Sequence, residues 1–231
     1  MFNLLQTSKA LSIVLTTSPC LGKVVYQQGT VSEPDRVGLG WYSTSEPRPT
    51  RNFRHADNFH LDQNHEINAV RWWGLSEGST HTNLSNFDTF TIQFYTNRTL
   101  PNGNIRPQQL LFSETFNLDD THATATGRAA PTGAMEYLHN VTLSESIELS
   151  AEQTYWISIS ARSINPSADV WQWQDSNDYD TRSSSFDYSQ NRWLVLEDTD
   201  SAFELISVPA PSSSGLLFLG LIAQRRRRSN R

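Results

Sequence analysis

Alternating apolar and polar positions recur in short runs between residues 23 and 207. In the run TYWISISA, Tyr155, Ile157 and Ile159 fall on one face of an extended strand, because successive side chains of a strand point to opposite faces. The other runs of this kind are KVVYQQG, FRHADNFHL, EINAVRWWG, TFTIQFYTN, QQLLFSETFNL, YLHNVTL, DVWQWQ, RWLVLE and AFELI. This pattern predicts eight or more β-strands, and residues 30–52, rich in Pro, Ser, Thr and Arg, are predicted to form a long loop.

No segment between residues 23 and 207 keeps a helical apolar period over three turns, and no internal repeat is visible. Strands without helices to cover them must bury their apolar faces against a second sheet. The sequence therefore predicts an all-β fold, an antiparallel β-sandwich of the jelly-roll type. The length of 231 residues fits one such domain at residues 23–207, with a short segment at each end.

Charge is distributed unevenly along the chain, whose formal net charge is −6. Residues 23–207 contain 12 basic and 24 acidic residues, for a net charge of −12, whereas residues 1–22 and 208–231 contain no acidic residue. A body with this charge repels phosphate backbones, which excludes nucleic acid as the main partner. Cys20 is the single cysteine, so no disulfide can form within the chain.

The first 22 residues, MFNLLQTSKALSIVLTTSPCLG, have the order of features found in a secretory signal peptide. Lys9 precedes the apolar stretch from Ala10 to Leu15, and small residues follow. The order predicts that residues 1–22 are a signal peptide and that the body is exported. A leader without targeting function is the alternative.

The last 24 residues, VPAPSSSGLLFLGLIAQRRRRSNR, combine two prolines, an apolar run and an arginine block. Twelve residues from Ser212 span about 18 Å as a helix, whereas a hydrocarbon core of about 30 Å needs about 20 residues. The arginine block resists translocation, so we expect a short hydrophobic helix that pauses in the inner membrane with the acidic body outside. The apolar residues are Gly215, Leu216, Leu217, Phe218, Leu219, Gly220, Leu221, Ile222 and Ala223, and the stop-transfer residues are Arg225, Arg226, Arg227 and Arg228.

This arrangement resembles the PEP-CTERM sorting signal of bacterial proteins that are processed by exosortase. The family motif is usually Val-Pro-Glu-Pro followed by Ser or Thr, and the residues here are Val208, Pro209, Ala210, Pro211 and Ser212. Ala210 therefore stands where the family has Glu. The resemblance implies removal of the tail by an exosortase-type membrane protease, then release or attachment at the cell surface. It also implies a link to extracellular polysaccharide and the biofilm matrix. An ordinary tail anchor is the alternative.

The body resembles a secreted β-sandwich domain that is common in PEP-CTERM proteins. The residues that carry this resemblance are the runs VVYQQG, HADNFHL, INAVRWWG, FTIQFY, YWISI, VWQWQ and AFEL. The resemblance implies a fold and a compartment for residues 23–207, and it implies no chemical activity.

One short motif, GLSEG at residues 74–78, matches the nucleophile motif G-x-S-x-G with Ser76 as the serine. That motif requires a strand, a tight turn and a helix, but the polar run STHTNLSN follows here. We interpret GLSEG as a hairpin loop and predict no catalytic residue. His55, His60 and His65 are spaced by five, which does not converge on one metal, so we expect surface histidines.

The acidic segment DSNDYD offers oxygen ligands of the kind that Ca²⁺ prefers, from Asp175, Asn177, Asp178 and Asp180. It departs from the EF-hand pattern, because Tyr179 occupies the third ligand place and Asp180 replaces the glycine. The sequence favours a solvated loop and leaves a calcium site as the alternative. No other cofactor is predicted.

Trp171 and Trp173 fall on one face of a strand, where they would form either a flat platform for a sugar ring or part of the core. The core interpretation is favoured. The neighbouring Trp72 and Trp73 point to opposite faces, so we expect one to be more buried than the other.

Together these features predict an exported, non-enzymatic protein of the bacterial surface or extracellular matrix. A carbohydrate-binding module of the exopolysaccharide matrix is the first alternative, and it requires exposed Trp faces on one sheet. A secreted glycan-acting enzyme is the second, and it requires two carboxylates about 5–10 Å apart in a cleft.

Overall fold

The computed structural model describes residues 22–29, 40–45, 53–77, 84–164, 170–176, 182–197 and 199–207. Thirteen strands lie in these ranges, together with two short 3-10 helices at Leu84–Asn86 and Leu118–Thr121. The strands are β1 (Lys23–Gln28), β2 (Gly40–Tyr42), β3 (Phe53–His60), β4 (His65–Glu77), β5 (Phe87–Thr99), β6 (Ile105–Asn117), β7 (Thr124–Ala129), β8 (Met135–Leu149), β9 (Thr154–Ser163), β10 (Val170–Gln174), β11 (Arg182–Asp187), β12 (Arg192–Glu197) and β13 (Phe203–Ser207).

Seven strands form the first sheet, which is organised around the long strand β4. Strand β8 pairs along one edge of β4, and β7 pairs with β8. Along the other edge, β13 pairs with residues 69–72 of β4, and β10 pairs with residues 74–77. Strand β1 continues the sheet beyond β13, and β2 continues it beyond β10. All of these pairings are antiparallel.

Six strands form the second sheet, in the order β12-β11-β3-β9-β5-β6, again antiparallel throughout. The strand β9 lies inside this sheet, and every side chain from Tyr155 to Ala161 is buried. Burial on both faces means that β9 is covered by the first sheet on one side and by other residues of its own sheet on the other.

The main core fills the space between the sheets with large aromatic and branched side chains. Aromatic rings dominate it because this sequence contains 7 Trp and 11 Phe, and each buried ring removes a large apolar area from water. The buried rings include Phe59, Trp72, Phe87, Phe90, Phe94, Tyr155, Trp171, Trp173 and Phe203.

One carboxylate lies inside this apolar layer and ties three segments together. Asp57 of β3 is fully buried and accepts a hydrogen bond from the Nε2 of Gln28, at the end of β1, at 3.3 Å. It also accepts hydrogen bonds from the backbone N–H of Asn58, at 2.8 Å, and from that of Ser201. A buried carboxylate needs such donors, so the Asp in HADNFHL has a structural role that links the two sheets.

A second, smaller apolar cluster lies on part of the outer face of the six-stranded sheet. Ala56, Tyr95 and Trp156 are buried there, and Ile105 and Trp193 pack against them. Since β12 contributes Trp193 and β6 contributes Ile105, both edge strands approach the middle of this face. The outer face is therefore curved, with its two edges drawn towards each other.

The structure confirms the all-β antiparallel sandwich and a strand at each of the ten alternating runs. It adds three strands that the pattern did not predict, of which β2 lies within the expected loop 30–52. Among the described residues, no helix is long and apolar enough to span a membrane. The expected signal peptide, except Gly22, and the short C-terminal helix lie outside the described residues.

Candidate functional site

An open groove of about 210 Å³ lies between the turn ends of the β5–β6 and β11–β12 hairpins. Three arginines and two aromatic rings dominate its walls. The lining residues are Arg98, Arg106, Pro107, Gln108, Phe186, Asn191, Arg192 and Trp193.

The β5–β6 turn is built by the sequence LPNGN at residues 100–104. The N–H of Gly103 donates to the carbonyl of Leu100 at 2.9 Å, and the N–H of Leu100 donates to the carbonyl of Asn104 at 2.7 Å. Gly103 has a φ of 86°, a conformation that a glycine adopts without steric cost. This turn fixes the register in which Arg98 lies directly opposite Arg106.

The β11–β12 turn is held by the carboxylate of Asp187. It accepts hydrogen bonds from the hydroxyl and N–H of Ser189, at 2.6 and 2.8 Å, and from the N–H of Gln190, at 3.3 Å. These hydrogen bonds, with the Ser189 hydroxyl foremost, hold the pKa of Asp187 below its usual value. The turn brings Arg192 to the groove at the first position of β12.

The aromatic wall of the groove is ordered by a half-buried cluster of rings around Arg54. The rings of Phe186 and Trp193 lie 5.2 Å apart at 66°, and the guanidinium of Arg54 lies 5.0 Å from the first and 5.3 Å from the second. The Tyr95 ring packs edge-on against Trp193 at 5.6 Å. Burial raises the pKa of Tyr95 to about 12, against an opposing effect of Arg54, so its phenol stays neutral.

Charge on the three groove arginines is not balanced by ion pairs with the described carboxylates. Three other arginines of the sandwich do form ion pairs: Arg71 with Glu204, Arg128 with Glu136 and Arg162 with Asp88. None of the described lining residues is acidic. The groove therefore offers guanidinium donors beside a half-buried indole, which suits a ring that carries an anionic group.

A family model described as "Domain of unknown function (DUF7901)" matches residues 24–206, which is most of the chain. The chain belongs to the DUF7901 family. The matched residues span the whole sandwich from β1 to β13, so the DUF7901 domain is the β-sandwich itself.

Among solved structures, the DUF7901 chain is similar to a CocE/NonD family hydrolase from Staphylococcus aureus, at 5% sequence identity and a TM-score of 0.29. The alignment covers 81% of this chain and 37% of the hydrolase chain. At this score the likeness supports no argument about activity. No curated protein matches the chain significantly.

Inside the DUF7901 domain, Trp171 and Trp173 are core residues, with exposures of 2% and 0%. The Nε1 of Trp173 donates to the carbonyl of Ala202 at 3.0 Å, and Trp171 packs edge-on against Phe90 at 5.4 Å. This confirms the core interpretation and corrects the alternative of a sugar platform, because neither ring has an exposed face. Trp72 is fully buried and Trp73 half-buried, as the alternation predicted.

Residues 74–77 of the GLSEG motif lie in β4, which corrects their interpretation as a hairpin loop, and Gly78 lies outside the described residues. Ser76 is buried in β4, where it pairs with Trp171 of β10 and Met135 of β8. Gly74 is needed because a Cβ there would lie 2.3 Å from the Nε1 of Trp171. The glycine thus allows an indole to cross the strand, and it does not form a nucleophile turn.

The expectation of surface histidines is wrong for His55, which is fully buried between Trp41 and Trp173. His60 is exposed and His65 half-buried. Burial lowers the pKa of His55 to about 3, so its ring is neutral in the folded protein. A histidine in that state is a core residue.

Asp175 is the only member of the candidate calcium loop among the described residues, since Asn177, Asp178 and Asp180 lie outside them. Burial, together with the nearby carboxylate of Asp200, raises the pKa of Asp175 to about 7. The described residues contain no group of three or more His, Cys, Asp or Glu that could hold a metal. The sorting motif at 208–212 and the segments after it also lie outside the described residues.

Sequence reasoning missed the groove, although one signal was present. Arg98 and Arg106 lie at equal distances from Asn102, in the middle of a turn sequence, so a hairpin centred there places them opposite each other. The contribution of Arg192 and Trp193 could not be found in this way, because their hairpin lies far away in the sequence.

Proposed function

We propose that this protein is an exported, non-enzymatic component of the bacterial surface or extracellular matrix, and that its sandwich binds polysaccharide in the arginine-lined groove. The observation that carries the proposal is the half-buried indole of Trp193, held beside guanidinium groups in an open groove. Aromatic faces bind the apolar faces of sugar rings, and guanidinium groups donate hydrogen bonds to their oxygens.

The ends of the chain support the export part of this proposal. The predicted signal peptide at residues 1–22 and the PEP-CTERM-like tail at residues 208–231 are features of a protein that is sorted by an exosortase-type protease. Such a protein passes through the inner membrane and reaches the cell surface or the matrix, where polysaccharide is the abundant polymer. The groove would then bind a polymer that is present in the compartment to which the domain is sorted.

A binding role also fits the chemistry of the groove better than catalysis does. Glycoside hydrolysis uses two carboxylates about 5–10 Å apart, and the described lining residues include none. The burial of Ser76 within β4 removes the nucleophile motif as a starting point for acyl transfer.

The test is a screen of the full-length chain, held in mild detergent, against an array of bacterial polysaccharides. Trp193→Ala should weaken binding to the polymers that are retained by about tenfold, because stacking on one aromatic ring contributes about 1–1.5 kcal/mol. Trp73→Ala is the matched control, since Trp73 is a half-buried indole on the other sheet.

Thermal unfolding of both variants shows whether a loss of binding reflects a loss of fold. Retention of no polysaccharide by the folded wild-type chain would refute the proposal. Equal binding by wild type and a folded Trp193→Ala variant would place the binding site elsewhere on the sandwich.

A further inference from the structure

We infer that the groove selects an anionic polysaccharide whose sugar rings carry carboxylates, such as a polyuronate. This inference rests on the proposed function and goes beyond it by naming the charge and the chemical group of the ligand. It is carried by the placement of three arginines from two hairpins around one open groove.

The first step is the opposition of Arg98 and Arg106. They are direct partners across β5 and β6, where like charges repel each other and lower stability. Arg98 is exposed and Arg106 is half-buried, and the described carboxylates form no ion pair with either of them. An anion between the two guanidinium groups relieves this repulsion, so the free protein favours a negatively charged ligand.

The second step is the arrival of Arg192 from a separate hairpin. It lines the same groove and, like Arg98, is exposed. Positive charge thus comes from both sides of the groove, whereas residues 23–207 as a whole carry a strongly negative net charge. A polyanion is repelled by most of the domain and attracted here, which confines its binding to the groove.

The third step is the fit of the group. The planar fork of a guanidinium matches the two oxygens of a planar carboxylate, so one arginine binds a carboxylate through two parallel hydrogen bonds. A uronic acid carries this group directly on its ring, which leaves the ring face free for the indole of Trp193.

The fourth step is size. The groove volume of about 210 Å³ is below the 300–1,000 Å³ that is typical of sites enclosing a whole small molecule. The groove is open, so one or two rings of a longer chain occupy it while the polymer continues beyond.

A fourth arginine, Arg54, lies in the aromatic wall and is not among the lining residues of the groove. Arg54 lies against Phe186 and Trp193, so its charge is used to order the wall of the groove. Its Nε is buried and makes no hydrogen bond to a described residue. Arg54 is therefore a positioning residue, and the three lining arginines are the ones that contact the ligand.

The experiment compares the binding of polygalacturonate with that of the same polymer after methyl esterification, using the full-length chain in mild detergent. Esterification keeps the sugar rings and removes the charge. We expect affinity to fall by about tenfold or more on esterification and to fall steeply as salt is raised.

Arg98→Gln, Arg106→Gln and Arg192→Gln should each weaken binding to polygalacturonate by about threefold to tenfold and should reduce the salt dependence. Arg162→Gln, the loss of an exposed arginine outside the groove, is the matched control and should leave affinity unchanged. Because Arg98 and Arg106 repel each other, Arg98→Gln should leave the unfolding temperature of the free protein unchanged or raise it. That measurement separates a loss of binding from a loss of fold.

Each other outcome overturns the inference in a different way. Equal binding of both polymers, lost in Trp193→Ala, would refute the anionic ligand and leave the proposed polysaccharide function intact. A preference for a sulfated glycan over polygalacturonate would refute the carboxylate. Tighter binding of single-stranded DNA than of either polymer would refute both proposals, as would the absence of polysaccharide binding altogether.

Discussion

The imidazole of His139 lies parallel to the indole of Trp72, with ring centroids 4.8 Å apart and planes within 1° of each other. The two residues are direct partners across β8 and β4, and both are fully buried. The Nδ1 of His139 is 3.2 Å from the hydroxyl of Thr121, which is the polar partner of the ring. Burial lowers the pKa of His139 to about 3, so a neutral histidine serves here as a flat core residue.

We expect this burial to make the domain sensitive to mild acid. The unfolded chain protonates His139 below pH about 6.5, whereas the folded chain does so only near pH 3, so stability falls as the pH drops through this window. One such histidine lowers the free energy of unfolding by about 2 kcal/mol between pH 7.5 and pH 5. His139→Phe should remove that share of the loss, as measured by urea unfolding at both pH values.

His55 is buried in the same manner, so the free energy of unfolding of the His139→Phe variant should still fall in acid, because His55 remains. The matched control is His60→Gln, because His60 is exposed and solvated in both the folded and unfolded states. An unchanged difference between pH 7.5 and pH 5 in His139→Phe would show that this ring is not responsible.

The close approach of Gly74 and Trp171 predicts a strong effect of one added methyl group. A Cβ at residue 74 would lie 2.3 Å from Nε1 and 2.6 Å from Cε2 of a buried indole. Gly74→Ala should therefore lower the free energy of unfolding by about 1–3 kcal/mol. In the double variant with Trp171→Phe, the smaller ring should relieve part of that cost, and strictly additive effects in the double-mutant cycle would contradict the clash.

A different pH dependence is expected from Asp175. The pKa of Asp175 in the folded protein, about 7, lies above its value in the unfolded chain. Its contribution to the free energy of unfolding is therefore complete in acid and is lost as the pH rises from about 4 through 7. Asp175→Asn should raise the free energy of unfolding at pH 8 by about 1–2 kcal/mol, allowing for partial solvation, and should change it little at pH 4. Asp62→Asn, at an exposed carboxylate, should show no such difference.

The same variant decides between the two interpretations of residues 175–180. A solvated loop is favoured by the sequence, so millimolar Ca²⁺ is expected to leave the unfolding temperature unchanged at pH 8. An increase in that temperature that disappears in Asp175→Asn would instead establish a calcium site.

For the tail, we expect the mature surface protein in its native host to lack residues beyond about Pro211. As a helix, the apolar run of the sequence would be too short for a durable anchor, and the prolines would keep the preceding segment extended and accessible to a membrane protease. Replacing Arg225–Arg228 with serines should remove the stop and leave the tail uncleaved. Mass spectrometry of the exported protein measures both outcomes, and an intact Arg231 on surface material would support a weak anchor instead.

The alternation of apolar and polar residues was sufficient to predict eight or more strands and the two-sheet sandwich, because burial on one face imposes a period of two. It failed for β11, whose residues Ser183, Ser184 and Ser185 are polar and yet buried. Successive side chains of a strand point to opposite faces, so burial of all three serines means that both faces of β11 are covered at this place. Strand β2 has three residues and β7 is rich in small ones, so neither shows a period.

The groove was beyond the reach of the sequence because it depends on the meeting of two distant hairpins. Arg98 and Trp193 are almost a hundred residues apart, and no local pattern indicates that β12 approaches the outer face of β5. His55 was misjudged for a related reason. The spacing of the three histidines says nothing about which face of β3 is turned towards the other sheet, and His55 lies on that face.

The last strand of the domain, β13, lies between β1 and β4, so it has neighbours from the beginning of the chain on both sides. Until residues 203–207 have emerged, the apolar edge of β4 and the whole of β1 have no partner at this place. Pairing β13 with β1 joins residues that are about 180 positions apart in the sequence. The entropy cost of closing so long a loop delays this pairing during folding. The sandwich therefore cannot be completed before β13 is available to pair with both β1 and β4, and its closure is expected to be a late step of folding.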